Sequence, residues 1–238
     1  MTTLLLPPTA APVRPFEDTR ARLRALAAGA PRVYAVACID EEPRRRWWFL
    51  GGPERQQRID LLYARALADV EEPRIAAEQV AAALIHAVVG RVLAPYALEG
   101  RVWDPGLDNL WLHMDSDGCI DWAGVADDTL RVLPEDRAVG HRDVVVLPCE
   151  RAMAVWTAHR SVTALTAVYA AVRTNGPLDA GRFWGIVGRT VVTGAAQLPV
   201  LGGASRRTAA RRGQELLDAF VAAGYPVRGL ARLGQPSL

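Results

Sequence analysis

Residues 181–196 read GRFWGIVGRTVVTGAA. The glycines, ending in Gly188-Arg189-Thr190, suggest a loop that cradles phosphate and runs into a helix. That reading would make the chain an α/β nucleotide protein. A phosphate loop needs G-x-x-x-x-G-K-[ST] after a strand. Counting back from Gly188, position 183 is Phe183, and Arg189 stands where lysine should. The preceding NGPLDAGRF is a turn and a helix start, not a buried strand. Gly181, Gly185, Gly188 and Gly194 therefore interrupt a helix. Each glycine costs a helix about 1 kcal/mol, so their presence calls for close approach of a neighbouring helix or of a ligand.

Working outward, this helix spans about Asp179 to Leu198, between Asn175-Gly176-Pro177 and Gly202-Gly203. Helical spacing of Val155, Val162, Thr166, Tyr169 and Val172 places another helix over Cys149 to Arg173. Ser205 caps a last one, Arg206 to Ala223. Upstream, helices are expected over Phe16–Ala28, residues 54–70, and from Glu71-Glu72-Pro73 to about Leu98, with a kink at Gly90 or Pro95. RVYAVACID (Arg32 to Asp40) reads as a strand. Alternation in Asn109–Met114, the turn Asp115-Ser116-Asp117-Gly118 and the return over Cys119–Val125 make a β-hairpin, and Asp143–Leu147 a third strand. Strands and helices do not alternate as a doubly wound fold requires. The expectation is an α+β fold, mostly α-helical, with a small antiparallel β-sheet insert in the middle of the chain. Residues 1–15 read as a loose arm, and 16–238 as one domain with a helical and β part (16–100), a β-insert (101–148) and a helical part (149–238).

The chain has 238 residues, half of them hydrophobic, and a formal net charge of +2. No global field points to nucleic acid. The 28 basic residues are all arginine, which excludes lysine Schiff-base chemistry. Cys38, Cys119 and Cys149 are scattered, which suits a reducing cytoplasm and small buried thiols rather than a disulfide framework. Ala81 to Leu98 is the longest apolar run, but His86, Arg91 and Pro95 interrupt it, so a core helix is expected and not a membrane span. The N-terminus lacks the basic leader of a secretory signal.

Candidate site residues are polar groups that interrupt apolar segments. His86 and His159 lie in apolar helices, where either could ligate haem or a mononuclear iron. The carboxylates from Asp104 to Asp128 include DSDG, which lacks the later ligands of a calcium loop and is better explained as a hairpin turn. Arginines cluster at Arg44–Arg46, beside Trp47 and Trp48, and at Arg206, Arg207, Arg211 and Arg212. Each cluster is either an anion site or a solvated face.

EEPRIAAEQVAAALIHAVVGRVLAPYALEGRVWD (71–104) and AAVRTNGPLDAGRFWGIVGRTVVTGAAQLPVL (170–201) resemble the two blocks of the ferric siderophore reductase family, the FhuF-like ferric iron reductases. The resemblance spans roughly residues 70 to 230. Trp184-Gly185 matches the family's tryptophan-glycine-asparagine stretch, with Ile186 in place of asparagine. The family's reductases end in a cysteine cluster that holds a [2Fe–2S] centre. This chain has no cysteine after Cys149, so the resemblance implies the scaffold and its cavity without the electron carrier.

Two functions are therefore expected. The first is binding of a siderophore-like or other polar metabolite between helices and β-insert, by Arg91, Trp103, Asn109, His113 and Arg189. The second is a cofactor-free step of specialised metabolism, a cyclisation, dehydration or rearrangement, with His159 and Asp108 as acid–base groups.

Overall fold

A computed structural model describes residues 14–228. Of the expected loose arm, 1–13 lie outside the described residues, and Pro15 already opens the first helix. The helices are α1 (Pro15–Ala25), α2 (Arg55–Val70), α3 (Pro73–Ile85), α4 (Arg91–Glu99), α5 (Glu150–Val172), α6 (Ala180–Gly202) and α7 (Arg206–Ala222). A π-helical turn, His86–Gly90, joins α3 to α4 without a break. The kink expected at Gly90 or Pro95 is thus a change of helical pitch.

Local chemistry sets the ends. Pro73 needs no amide partner at the first turn of α3, and the Glu72 carboxylate accepts from the amides of Arg74 and Ile75. Ser205 caps α7 by accepting from the amide of Thr208, and Asp179 caps α6 through the amide of Arg182.

The strands are β1 (Val36–Cys38), β2 (Trp47–Phe49), β3 (Arg101–Val102), β4 (Leu110–Met114), β5 (Ile120–Val125), β6 (Leu130–Val132) and β7 (Val144–Val146). They form two small sheets, ordered β1-β5-β4-β2 and β3-β6-β7. The α+β class holds, and β4–β5 is the expected antiparallel hairpin around Asp115–Gly118. The sheets themselves are mixed: β1 runs parallel to β5, and β7 parallel to β6. The larger sheet also recruits β1 and β2 from upstream of residue 101. Arg32–Asp40 contributes only three strand residues. The carbonyls of Arg32 and Ala35 accept from Arg91, and that of Val33 from His86, so they are unavailable to a sheet ladder.

The main apolar core runs from Phe16 to Val227, with α3, the π turn and α4 within it, and Ala37, Ile39, Trp47 and Trp122 form a second, smaller cluster. Pro73–Glu99 is the one described helix long and apolar enough to cross a membrane, and it is buried in the fold.

The glycines of α6 now have partners. A Cβ at Gly188 would overlap the backbone carbonyl of Val227, where the chain crosses over α6 after α7. One at Gly194 would come within 2.6 Å of Leu93 Cδ2, on α4. Gly185 faces open space, with only Arg189 Nη1 at 3.8 Å. Gly188→Ala is therefore expected to cost about 1–3 kcal/mol by overpacking, and Gly185→Ala to be neutral or to stabilise by up to about 1 kcal/mol. Urea midpoints of the two variants check this; equal midpoints would refute the packing assigned to Gly188.

Candidate ligand-binding site

The polar groups that converge do so at the π turn. His86 sits at the junction of two cavities. The first is a groove of about 510 Å³ between α3 and α6. From α3 it takes Ile75, Gln79 and Ala82; from α6 it takes Arg189, Thr193 and Gln197. These sets repeat at one helical turn, so each forms a stripe along one face. The second cavity, about 400 Å³, lies between the 30–33 turn and β5 and contains Arg32, His86, Arg91 and Asp121.

His86 Nε2 lies 2.9 Å from the Val33 carbonyl oxygen. A carbonyl cannot donate, so the hydrogen is on Nε2 and the neutral ring leaves Nδ1 as acceptor. The ring packs over Gly90, where a Cβ would overlap Nδ1. Burial lowers the His86 pKa below 6.5; the hydrogen bond to Val33 opposes this and the nearby Arg91 charge adds to it.

Arg91 is 3% exposed. Nη1 donates to the carbonyls of Arg32 and Ala35, and Nη2 to that of Asp121 at 3.1 Å. Burial pushes its pKa down to about 10, against the pull of the Asp121 charge. The Asp121 carboxylate is engaged on both oxygens, by His113 Nδ1 at 2.6 Å and Arg32 Nη1 at 2.6 Å. The pKa of Asp121 is lowered, since these hydrogen bonds and charges outweigh its burial. Arg32 also stacks over Trp122, 4.7 Å from the ring centroid.

The structure therefore gathers Arg91 and Arg189, with His113 behind Asp121, around His86. The other expected site residues go elsewhere. Asn109 is buried and fully used: Nδ2 donates to the carbonyls of Asp104 and Asp127, and Oδ1 accepts from the amides of Ala126 and Asp127. It fastens two loops. Trp103 is buried edge-on against Phe16 at 6.3 Å, a core contact. Asp108 is exposed and paired with Arg160 Nη2 at 2.5 Å. His159 lies on the exposed face of α5 and shares no hydrogen bond with Asp108. A helix as apolar as α5 conceals this, because its solvent face also carries Val155.

Both arginine clusters are divided between fold contacts and solvent. Arg44 stacks on Trp111 at 4.8 Å. Arg212 is buried and closes the end of α4 by donating to the carbonyls of Tyr96 and Ala97, while Arg211 pairs with Glu150. Arg206 and Arg207 face solvent.

A comparison with family models, with curated proteins and with solved structures finds no match for this chain.

The residues present do not fit the resemblance's [2Fe–2S] centre. Cys38 is half-buried on β1, while Cys119 and Cys149 are exposed, at the hairpin and ahead of α5, contrary to the expectation of buried thiols. Among the described residues no three His, Cys, Asp or Glu side chains stand together as a metal site. At His86 the Nε2–H is committed to Val33, which leaves Nδ1, beside Gly90, as the ring nitrogen with a free lone pair.

The neutral His86 ring carries a pH signature. With the folded pKa depressed below 6.5, its contribution is fully present above pH 6.5 and is lost as pH falls through the folded value. Unfolding free energy should therefore decline over that window, and His86→Gln should flatten the decline. An unchanged pH profile in the variant would contradict the buried neutral ring.

Proposed function

We propose that this chain binds a small polar metabolite in the groove between α3 and α6, over His86. The observation that carries the reading is the set of polar groups lining one groove. The exposed Gln79, Arg189, Thr193 and Gln197 side chains and the half-buried Tyr34 line it together. Ile75, Ala82 and Ile186 supply an apolar floor. Apolar walls with a few convergent polar groups are the usual make-up of a metabolite site, and the volume is in the usual range.

The resemblance to ferric siderophore reductases supplies the ligand class: a siderophore-like chelate, rich in oxygen acceptors, facing the amide, hydroxyl and guanidinium donors of the groove. Binding, not reduction, is what the side chains support, because no cysteine set fits the family's electron carrier. Three unpaired thiols accord with the cytoplasmic location proposed with it.

A second reading, a cofactor-free biosynthetic enzyme on the same scaffold, gains from one observation. His86 lines both cavities and burial holds it neutral, as a general base near pH 7 must be. In this reading acid–base work moves from His159 and Asp108 to His86.

Titration with a ferric hydroxamate in a calorimeter tests the proposal. Saturable heat is expected, and Arg189→Ala should weaken binding by about tenfold or more, the worth of a charge-assisted hydrogen bond. No heat with the wild-type protein, or equal affinity in Arg189→Ala, would contradict it.

A further inference from the structure

We propose that His86 Nδ1 is the proton acceptor of the α3–α6 groove, that Gly90 keeps it open, and that the metabolite taken there presents an O–H donor. The inference rests on the reading of that groove as a metabolite site and names the chemistry its ligand must carry.

The two ring nitrogens of His86 face different cavities. Nε2 donates to the carbonyl of Val33, which lines the second cavity and not the groove. Nδ1 lies against Gly90, which lines the groove and not the second cavity. Tyr34, edge-on to the ring with centroids 5.9 Å apart, is a groove residue as well. The imidazole is thus a partition, with its hydrogen on one side and its lone pair on the other.

Nδ1 is open on the groove side. Among the described residues, the side-chain nitrogens that are buried and lack a partner are Arg20 Nη1, Trp48 Nε1, Arg91 Nε and Trp122 Nε1. Nδ1 is not one of them, and no hydrogen bond from the described residues reaches it. The residue itself is half-buried. A ring nitrogen neither bonded nor sealed is left for water or a ligand.

Gly90 accounts for that opening. It follows His86 by four residues, so a side chain there would overlie the ring. A Cβ at this position would overlap Nδ1, and its next nearest neighbours are also atoms of the His86 ring. The backbone of Gly90, at φ −59° and ψ −38°, is ordinary right-handed helix and does not call for glycine. Glycine otherwise weakens a helix interior. What it supplies here is room over the lone pair.

The lone pair narrows the class of ligand. Gln79, Thr193 and Gln197 can donate or accept, and Arg189 only donates. The Glu78 carboxylate, also in the groove, is held by Arg74 and Arg182. Nδ1 of the neutral ring can only accept. An ether or ester oxygen there would set lone pair against lone pair, whereas a hydroxyl satisfies it. The ligand class is therefore a hydroxylated oxygen acid, with an O–H for Nδ1 and an anionic or carbonyl oxygen for Arg189. In a metal chelate the coordinating oxygens carry no proton, so the O–H is a further group of that ligand.

The test uses the full-length protein in two steps. Diethyl pyrocarbonate acylates open, unprotonated imidazole nitrogens, and mass spectrometry reads each histidine separately. His86 should be modified in the folded wild-type protein and spared in Gly90→Ala, with His159 modified equally in both. Next, ¹⁵N-labelled protein is titrated with sodium glycolate and with sodium methoxyacetate, which has an ether in place of the hydroxyl. Glycolate should shift the His86 Nδ1 resonance saturably, and methoxyacetate should leave it in place. The resonance is assigned by its loss in His86→Gln. A wild-type His86 that reacts only after unfolding, equal shifts with the two acids, or no shift with glycolate would each overturn the assignment. These wild-type outcomes decide the matter even where Gly90→Ala fails to fold. The acylation step needs no ligand, and the calorimetry with ferric hydroxamate needs no open Nδ1, so the two readings can fail separately.

Discussion

The arrangement depends on three backbone carbonyls, those of Arg32, Val33 and Ala35, being bonded by side chains from a single buried helix. His86 takes one and Arg91 takes the other two. In an α-helix, residues five apart point about 140° away from each other and could not grip one short segment. The π turn removes that difficulty. The Arg91 amide donates to the His86 carbonyl, an i to i+5 bond, so each residue turns less than in an α-helix and the two side chains emerge nearer to one side. One extra residue in the helix thus decides where the turn before β1 sits. It also decides which cavities open beside it.

The consequences spread in both directions. Because the carbonyls of Arg32, Val33 and Ala35 are occupied, β1 begins only at Val36, and its three residues pair with β5 in parallel. The same bonds tie the larger sheet to the helical core, and the Asp121 carbonyl on β5 adds a further tie to Arg91. Across the helix, α6 approaches α4 at Gly194, which Leu93 is set against. That approach leaves the groove in which the Arg189, Thr193 and Gln197 stripe faces α3. The polar groups of the groove and the least regular turn of the main helix lie together.

Much of this was legible in the sequence. Caps at Glu72-Pro73, Asp179 and Ser205, the hairpin turn at Asp115–Gly118, and the helical reading of residues 181–196 follow from local chemistry, which tertiary contacts did not override. The parallel pairs β1–β5 and β6–β7 were not legible, because neither the strand residues nor the segments between them encode which strand is the partner or its direction. The π turn was hidden too: HAVVG is an ordinary apolar helical segment until its neighbours are known. For the site, Arg91, His113 and Arg189 come to the His86 neighbourhood, whereas Asn109, Trp103, Asp108 and His159 serve the fold or the surface. The missed residues carried a signal. Thr193 and Gln197 follow the expected Arg189 at four-residue intervals on a helix otherwise rich in valine and glycine, and Gln79 lies seven residues before His86. A polar stripe on an apolar helix marks a groove more reliably than an isolated histidine does.

The central claim is that the π turn directs a neutral His86 ring, protonated on Nε2, at the Val33 carbonyl. Long-range ¹H–¹⁵N correlation of the His86 ring tests this most directly. The expected result is an Nε2-protonated, Nδ1-bare imidazole at pH 7 that accepts its second proton only below pH 6.5. A ring protonated on Nδ1, or one that titrates at or above pH 6.5, would contradict it.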